Sequence, residues 1–289
     1  MNFKKIASKL MISLLTAGML ISPLGNIAHA DAFKTVTLGG NLNEKQKEDM
    51  LKYFNVNKNE ANIEKVTIEE EFKYLGKVAS KSQLGSKSIS CSYVEPTDKG
   101  GLNVTLHNIY WVNENMIKNA LITAGIKNAN VKAAAPFRVS GTAALTGILK
   151  AFENTKSGEK IDEDKKKAAN EEIVVTGNLG DKIGKDKAAG LVNEVKKEVV
   201  EKKPETKKET EKIVKKVTNN YNYNLDDQDI NKLTDLMNNI SKLDLNIDQL
   251  KDQLNSMGQK LDKFIKSDET QGFLKKLWNG IGNFFSNLF

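Results

Sequence analysis

Apolar and polar positions recur in two different rhythms along this chain, and the change of rhythm divides it. Between residues 34 and 153, two-residue alternations are interleaved with three- and four-residue spacings. Val36 to Leu38, Asn62 to Ile68, Ser86 to Val94, Leu102 to Val112 and Val131 to Ala135 read as strands. Helices are expected from about Asn43 to Phe54, Glu69 to Lys77, Asn113 to Gly125 and Ser140 to Glu153. Asn43, Asn113 and Ser140 are the expected N-caps, because a short polar side chain can take up free N–H groups of the first turn. Gly76 and the cluster Pro96, Asp98, Gly100 and Gly101 mark breaks. Leu42-Asn43-Glu44, a helix, then Ala61-Asn62-Ile63 is echoed by Val112-Asn113-Glu114, a helix, then Ala129-Asn130-Val131. Two β-α-β-α units would account for the echo, and so would chance in an Asn- and Lys-rich chain.

Beyond residue 156 the pattern becomes helical and charged. Lys156 to Lys216 holds seventeen Lys against fourteen acids, a mixture that marks a solvated helical surface rather than a polyanion site. Within it, Ile173-Val174-Val175 before Gly177 and Gly180 reads as a short apolar turn or strand, Lys185 to Lys202 as a helix, and Pro204 as the first turn of the next helix. From Ile230 to Phe264, apolar residues step by three and four in a heptad seam with one irregularity at Leu243-Asp244-Leu245-Asn246. A reversal there into a helical hairpin is favoured over one continuous coiled-coil rod, and the seam also offers a surface for self-association. The chain closes on Phe273, Leu274, Leu277, Trp278, Ile281, Phe284, Phe285, Leu288 and Phe289, nine apolar positions on one helical face. Such a stripe must bury itself against the chain's own core, a partner protein or a membrane surface.

The fold class expected is α+β (or α/β): a mixed α/β domain followed by a mostly helical C-terminal region. The expected organisation is a signal peptide over 1–30, the mixed domain over 31–155, a charged helical or linker region over 156–224, a helical hairpin or coiled coil over 225–268 and an amphipathic tail helix over 269–289.

The first thirty residues change the picture. Lys4, Lys5 and Lys9 precede a short apolar run from Leu10 to Ile21, then Pro23, Gly25 and the small residues Ala28 and Ala30 around His29. That is the layout of an export signal cleaved after Ala30, and the run is short for a membrane anchor. Cys91 lies too far from the cleavage point for lipoprotein attachment. Cleavage removes three Lys and no acid, so the formal charge falls from +7 to +4. A charge so small and so well mixed argues against nucleic acid, as does a single Arg, Arg138. Localisation is therefore expected to be secreted or extracytoplasmic, with peripheral membrane attachment through the tail.

Candidate chemistry is sparse. After cleavage one His (His107) and one Cys (Cys91) remain, each in an expected strand, so a Cys/His nucleophile pair is the weaker reading beside two ordinary sheet residues. One His and one Cys fall short of a zinc site, and no cofactor motif is present. Asp162-Glu163-Asp164 and Asp226-Asp227-Gln228-Asp229 lack the spacing of a calcium loop and read as acidic helix starts. The best ligand candidate is an anion cradle made by Arg138 with Ser140, Gly141 and Thr142 at a helix start, with simple capping by Ser140 as the alternative.

Val36-Thr37-Leu38-Gly39, Lys73-Tyr74-Leu75-Gly76, Ser92 to Pro96, His107 to Val112 and Ala135-Pro136 through Gly147 together resemble the family called domain of unknown function 1002. The resemblance implies an exported, envelope-associated protein of Gram-positive type and carries no catalytic residue across. Three readings stay open: a non-enzymatic envelope protein binding a membrane or partner through its tail, an extracytoplasmic enzyme or anion-binding protein using the α/β domain, and a secreted membrane-active protein.

Overall fold

The computed structural model describes residues 34–57, 61–155, 160–221, 223 and 225–245, with Asp252, Leu254 and Asn255. The export segment and the amphipathic tail lie outside the described residues. The fold class is α+β: a mixed sheet followed by a helical region.

Strands β1 (Lys34–Gly39), β2 (Ala61–Val66), β3 (Cys91–Pro96), β4 (Leu102–Ile109) and β5 (Ala129–Val139) form one sheet in the order β2-β1-β3-β5-β4. β1 runs parallel to β2 and β4 parallel to β5, while β3 is antiparallel to both of its neighbours. Helix α1 (Glu44–Phe54) joins the first parallel pair and α4 (Glu114–Thr123) the second, so each half of the echo is a β-α-β unit. The units are not superimposable repeats. Met50, Leu51 and Phe54 of α1 pack with Val36, Cys91 and Tyr93 on one face, whereas Met116, Ile117 and Leu121 of α4 pack with Val94, Val104 and Val131 on the other.

Asn43 and Asn113 are N-caps as expected, each accepting the N–H of the third helical residue. Helix α2 (Ile68–Leu75) ends at Gly76, and a short helix α3 (Lys81–Leu84) that the pattern did not foretell follows it. The strand expected from Ser86 begins only at Cys91, because the serines before it are engaged elsewhere. Ser88 is buried with its hydroxyl donating to the Val66 carbonyl at 2.7 Å.

Helix α5 (Thr142–Glu153) lies on the sheet face that α4 covers. Helices α6 (Glu163–Ile183), α7 (Lys185–Lys202), α8 (Lys207–Asn220) and α9 (Asp227–Ile240) complete the described chain. The expected turn or strand at Ile173-Val174-Val175 is instead the middle of α6. Ile173 and Val174 enter the core of the sheet and α4, and Val175 enters the core shared with α7, α8 and α9. A helix buried on two sides has a continuous apolar run, which periodicity alone cannot tell from a strand. Pro204 also differs from expectation: Thr206 caps α8, leaving the proline in the connecting loop.

Ile230, Leu233, Met237 and Ile240 of the heptad seam are buried in the chain's own core. α9 stops at Ile240, and residues 241–245 form a turn and bend, so no continuous rod passes through Leu243. Most of the expected second arm lies outside the described residues, although Leu254 is buried and its carbonyl accepts the Asn193 side-chain amide at 3.4 Å. No described helix is long and apolar enough to cross a membrane.

Candidate functional site

Near the expected anion cradle lies a cleft of about 560 Å³ where β5 hands over to α5. Its geometry starts with Pro136. A proline has no N–H for a sheet ladder, and the pairing of β4 with β5 slips at this point. His107 opposes Ala134, yet Ile109 opposes Val139, so two steps on β4 match five on β5. Asn108 takes a left-handed φ of 59° at the slip and donates its side-chain amide to the Ala135 carbonyl at 2.9 Å. The surplus segment swings Phe137 and Arg138 outward. The ladder closes again where Tyr110 N–H donates to the Val139 carbonyl at 3.1 Å.

The expected cradle is only partly assembled. Ser140, Gly141 and Thr142 line the cleft. Arg138 does not; its guanidinium stands 5.9 Å from the Tyr110 ring centroid on the exposed surface. Nor does Ser140 cap α5. Gly141 occupies the cap position at φ 102° with no side-chain hydrogen bond. A Cβ there would sit 2.6 Å from Ile109 Cγ2, so both backbone and space require glycine. The cap comes from another part of the chain: Ala144 N–H donates to the hydroxyl of buried Ser90 at 2.8 Å.

Behind the first turn of α5 lies Glu71 of α2, fully buried. Burial pushes its carboxyl up to about 7, although the hydroxyls of Thr142 and Ser88 favour the charged form. No hydrogen bond of normal geometry reaches either carboxylate oxygen among the described residues. A buried acid in this position opposes an anion in the cleft whenever it is ionised.

The remaining chemical candidates stand apart. Cys91 and His107 each pair with Ala134 from opposite sides, so β5 separates them by two strand spacings, roughly 9–10 Å. Burial pushes the Cys91 thiol up to about 12, the wrong direction for a nucleophile. His107 stacks on Tyr53 with centroids 4.7 Å apart. The acidic clusters are helix starts: Asp162 caps α6, and Asp226 caps α9 while sharing Lys182 with Asp229 at 2.8 and 2.7 Å. Among the described residues no group of three His, Cys, Asp or Glu is placed to hold a metal.

Sequence reasoning missed the wall of the cleft facing α5. Asn41, Asn43 and Gln46 line it, and each has its carbonyl oxygen fixed by a backbone N–H. Asn41 Oδ1 accepts from Ser88 at 2.9 Å, Asn43 Oδ1 from Gln46 at 2.9 Å, and Gln46 Oε1 from Asn43 at 3.0 Å. The Asn43–Gln46 exchange is a local capping signal, but nothing local announces that α1 starts beside α5.

The molecule is thus a mixed-sheet α+β protein with a polar cleft at a strand-to-helix junction and no assembled catalytic set among its described residues. A family model described as "Protein of unknown function (DUF1002)" matches residues 38–257, and the chain belongs to that family. It is also similar to the uncharacterized protein YpuA of Bacillus subtilis (strain 168), with 42% identity over 289 residues covering 96% of this chain and 99% of the relative. No solved structure matches significantly.

Proposed function

We propose that this is an exported, non-enzymatic envelope protein that binds a membrane surface through Phe273 to Phe289. The observation that carries this reading is the period of the tail, with nine apolar side chains on one face opposite Lys275, Lys276, Asn279, Asn283, Ser286 and Asn287. Full burial of an apolar side chain contributes roughly 1.5–3 kcal/mol, so partial insertion of nine suffices for binding. Trp278 suits the headgroup level, and each Lys adds about 1 kcal/mol on anionic lipid. Gly280 and Gly282 weaken the isolated helix by about 1 kcal/mol each, which favours formation of the helix on the lipid surface. The distance between Cys91 and His107 and the raised thiol support the non-enzymatic part of the reading.

Fractionation of producing cells followed by intact-mass spectrometry tests the export step. The expected species begins at Asp31 and lies outside the cytoplasm. A chain retaining Met1 would make the first segment an anchor and overturn processing. Calcein-loaded vesicles test the mode of action: binding without dye release is expected, and release would favour a membrane-perturbing protein.

A further inference from the structure

We infer that the cleft between the starts of α1 and α5 is a binding site for an uncharged saccharide bearing hydroxyl or acetamido groups. Four large apolar or aromatic side chains are conspicuously exposed among the described residues, and two of them, Tyr110 at 46% and Phe137 at 49%, line this one cleft. The ladder slip at Pro136 and the bond from Lys185 Nζ to the Tyr110 carbonyl hold the rim that carries them. Aromatic faces set at a cleft rim offer their electron-rich surface to the polarised C–H bonds of a sugar ring.

The opposite wall supplies the polar half of the recognition. Asn41, Asn43 and Gln46 have their carbonyl oxygens held by backbone N–H groups, so each amide is fixed and presents its NH₂ as a donor. Among the described residues none of these NH₂ groups makes a hydrogen bond of its own. Fixed donors of this kind match hydroxyl, ring and acetamido oxygens without the ordering cost of a flexible chain. The cleft volume of about 560 Å³ lies within the roughly 300–1,000 Å³ usual for small-ligand sites.

Charge decides against an anion. Lys87 is the single charged side chain among the lining residues, Arg138 is not one of them and stands 5.9 Å from the Tyr110 ring centroid at the rim, and the Glu71 carboxyl lies behind the helix start. The two helix starts add only partial positive charge, and Asn43 and Ser90 already take up N–H groups of their first turns, so the cleft lacks the guanidinium fork or several cations that complete a strong anion site. A peptide is disfavoured because the donors are side-chain amides at helix and loop starts, not the alternating backbone groups of an open strand edge.

Isothermal titration calorimetry of the processed protein with N-acetylglucosamine tetramer, maltotetraose and inorganic phosphate tests the assignment. The expected result is binding of at least one of the two oligosaccharides, with no heat from phosphate. Tyr110→Ala and Phe137→Ala are surface truncations that leave the melting temperature unchanged and weaken binding about tenfold each. No binding of either saccharide, binding undiminished in both variants, or displacement of the sugar by phosphate would overturn the proposal. No lipid is present in this assay, so its outcome is independent of the membrane-binding reading.

Discussion

Glu71 has no well-formed hydrogen bond at its carboxyl among the described residues, and the cost of burying it rises sharply when the group ionises. Its folded-state pKa of about 7 lies above the ordinary 4.5, so the native protein holds this proton more tightly than the unfolded chain. The contribution to stability is therefore complete below about pH 4.5 and lost as the pH rises through about 7. The loss is on the order of 3 kcal/mol for a shift of this size. Glu71→Gln keeps the shape and removes the charge. Melting curves from about pH 5 to pH 8 should fall more steeply for the parent, with the variant more stable at the alkaline end; parallel curves would show that the site solvates the carboxylate.

At the scale of elements, the cap of α5 and the packing of α6 separate local from non-local information. Ser90→Ala should cost about 1–2 kcal/mol in denaturant unfolding, because it strips the acceptor from the buried Ala144 N–H. Ser140→Ala should stay within about 0.5 kcal/mol; the reverse ranking would restore Ser140 as the cap. Asn43 and Asn113 were legible in the sequence because capping joins residues three apart. Ser90 stands 54 positions before Ala144, and no local pattern announces such a partner. The same limit hid the three amides of the cleft and the slip that leaves Arg138 outside its lining. In α6 the β-branched run Ile173 to Val175 read as a turn or strand, yet packing on both sides decided for helix. Gly177 makes that packing testable: a Cβ there would lie 2.7 Å from the indole of Trp111. Helix propensity alone favours Gly177→Ala by about 1 kcal/mol, but overpacking costs about 1–3 kcal/mol. The variant should therefore unfold at lower denaturant; a gain in stability would mean that the indole moves aside.

Across the whole molecule, the junction of α4, α6 and α7 is fastened by a fully buried ion pair, Lys196 with Glu172 at 2.6 Å. Lys196 also donates to the Asn119 carbonyl at 2.8 Å and to Thr123 Oγ1 at 2.9 Å. Burial holds the ammonium below its ordinary range against the pull of Glu172. Lys196→Met leaves a buried carboxylate with only the Thr123 hydroxyl, which donates to it at 2.5 Å, and should cost about 3–5 kcal/mol; adding Glu172→Leu should recover most of it. Failure of the second change to rescue would mean that the pair specifies the junction and does not merely occupy it. This frame brings the sheet and helical bundle together, while the proposed work at the membrane belongs to the last seventeen residues. The direct test is co-sedimentation of the processed chain with anionic vesicles, beside a chain lacking residues 272–289. The intact chain should pellet with lipid and the shortened one should stay in the supernatant with an unchanged melting temperature. Unfolding or aggregation of the shortened chain, or equal pelleting of both, would contradict membrane attachment through the tail.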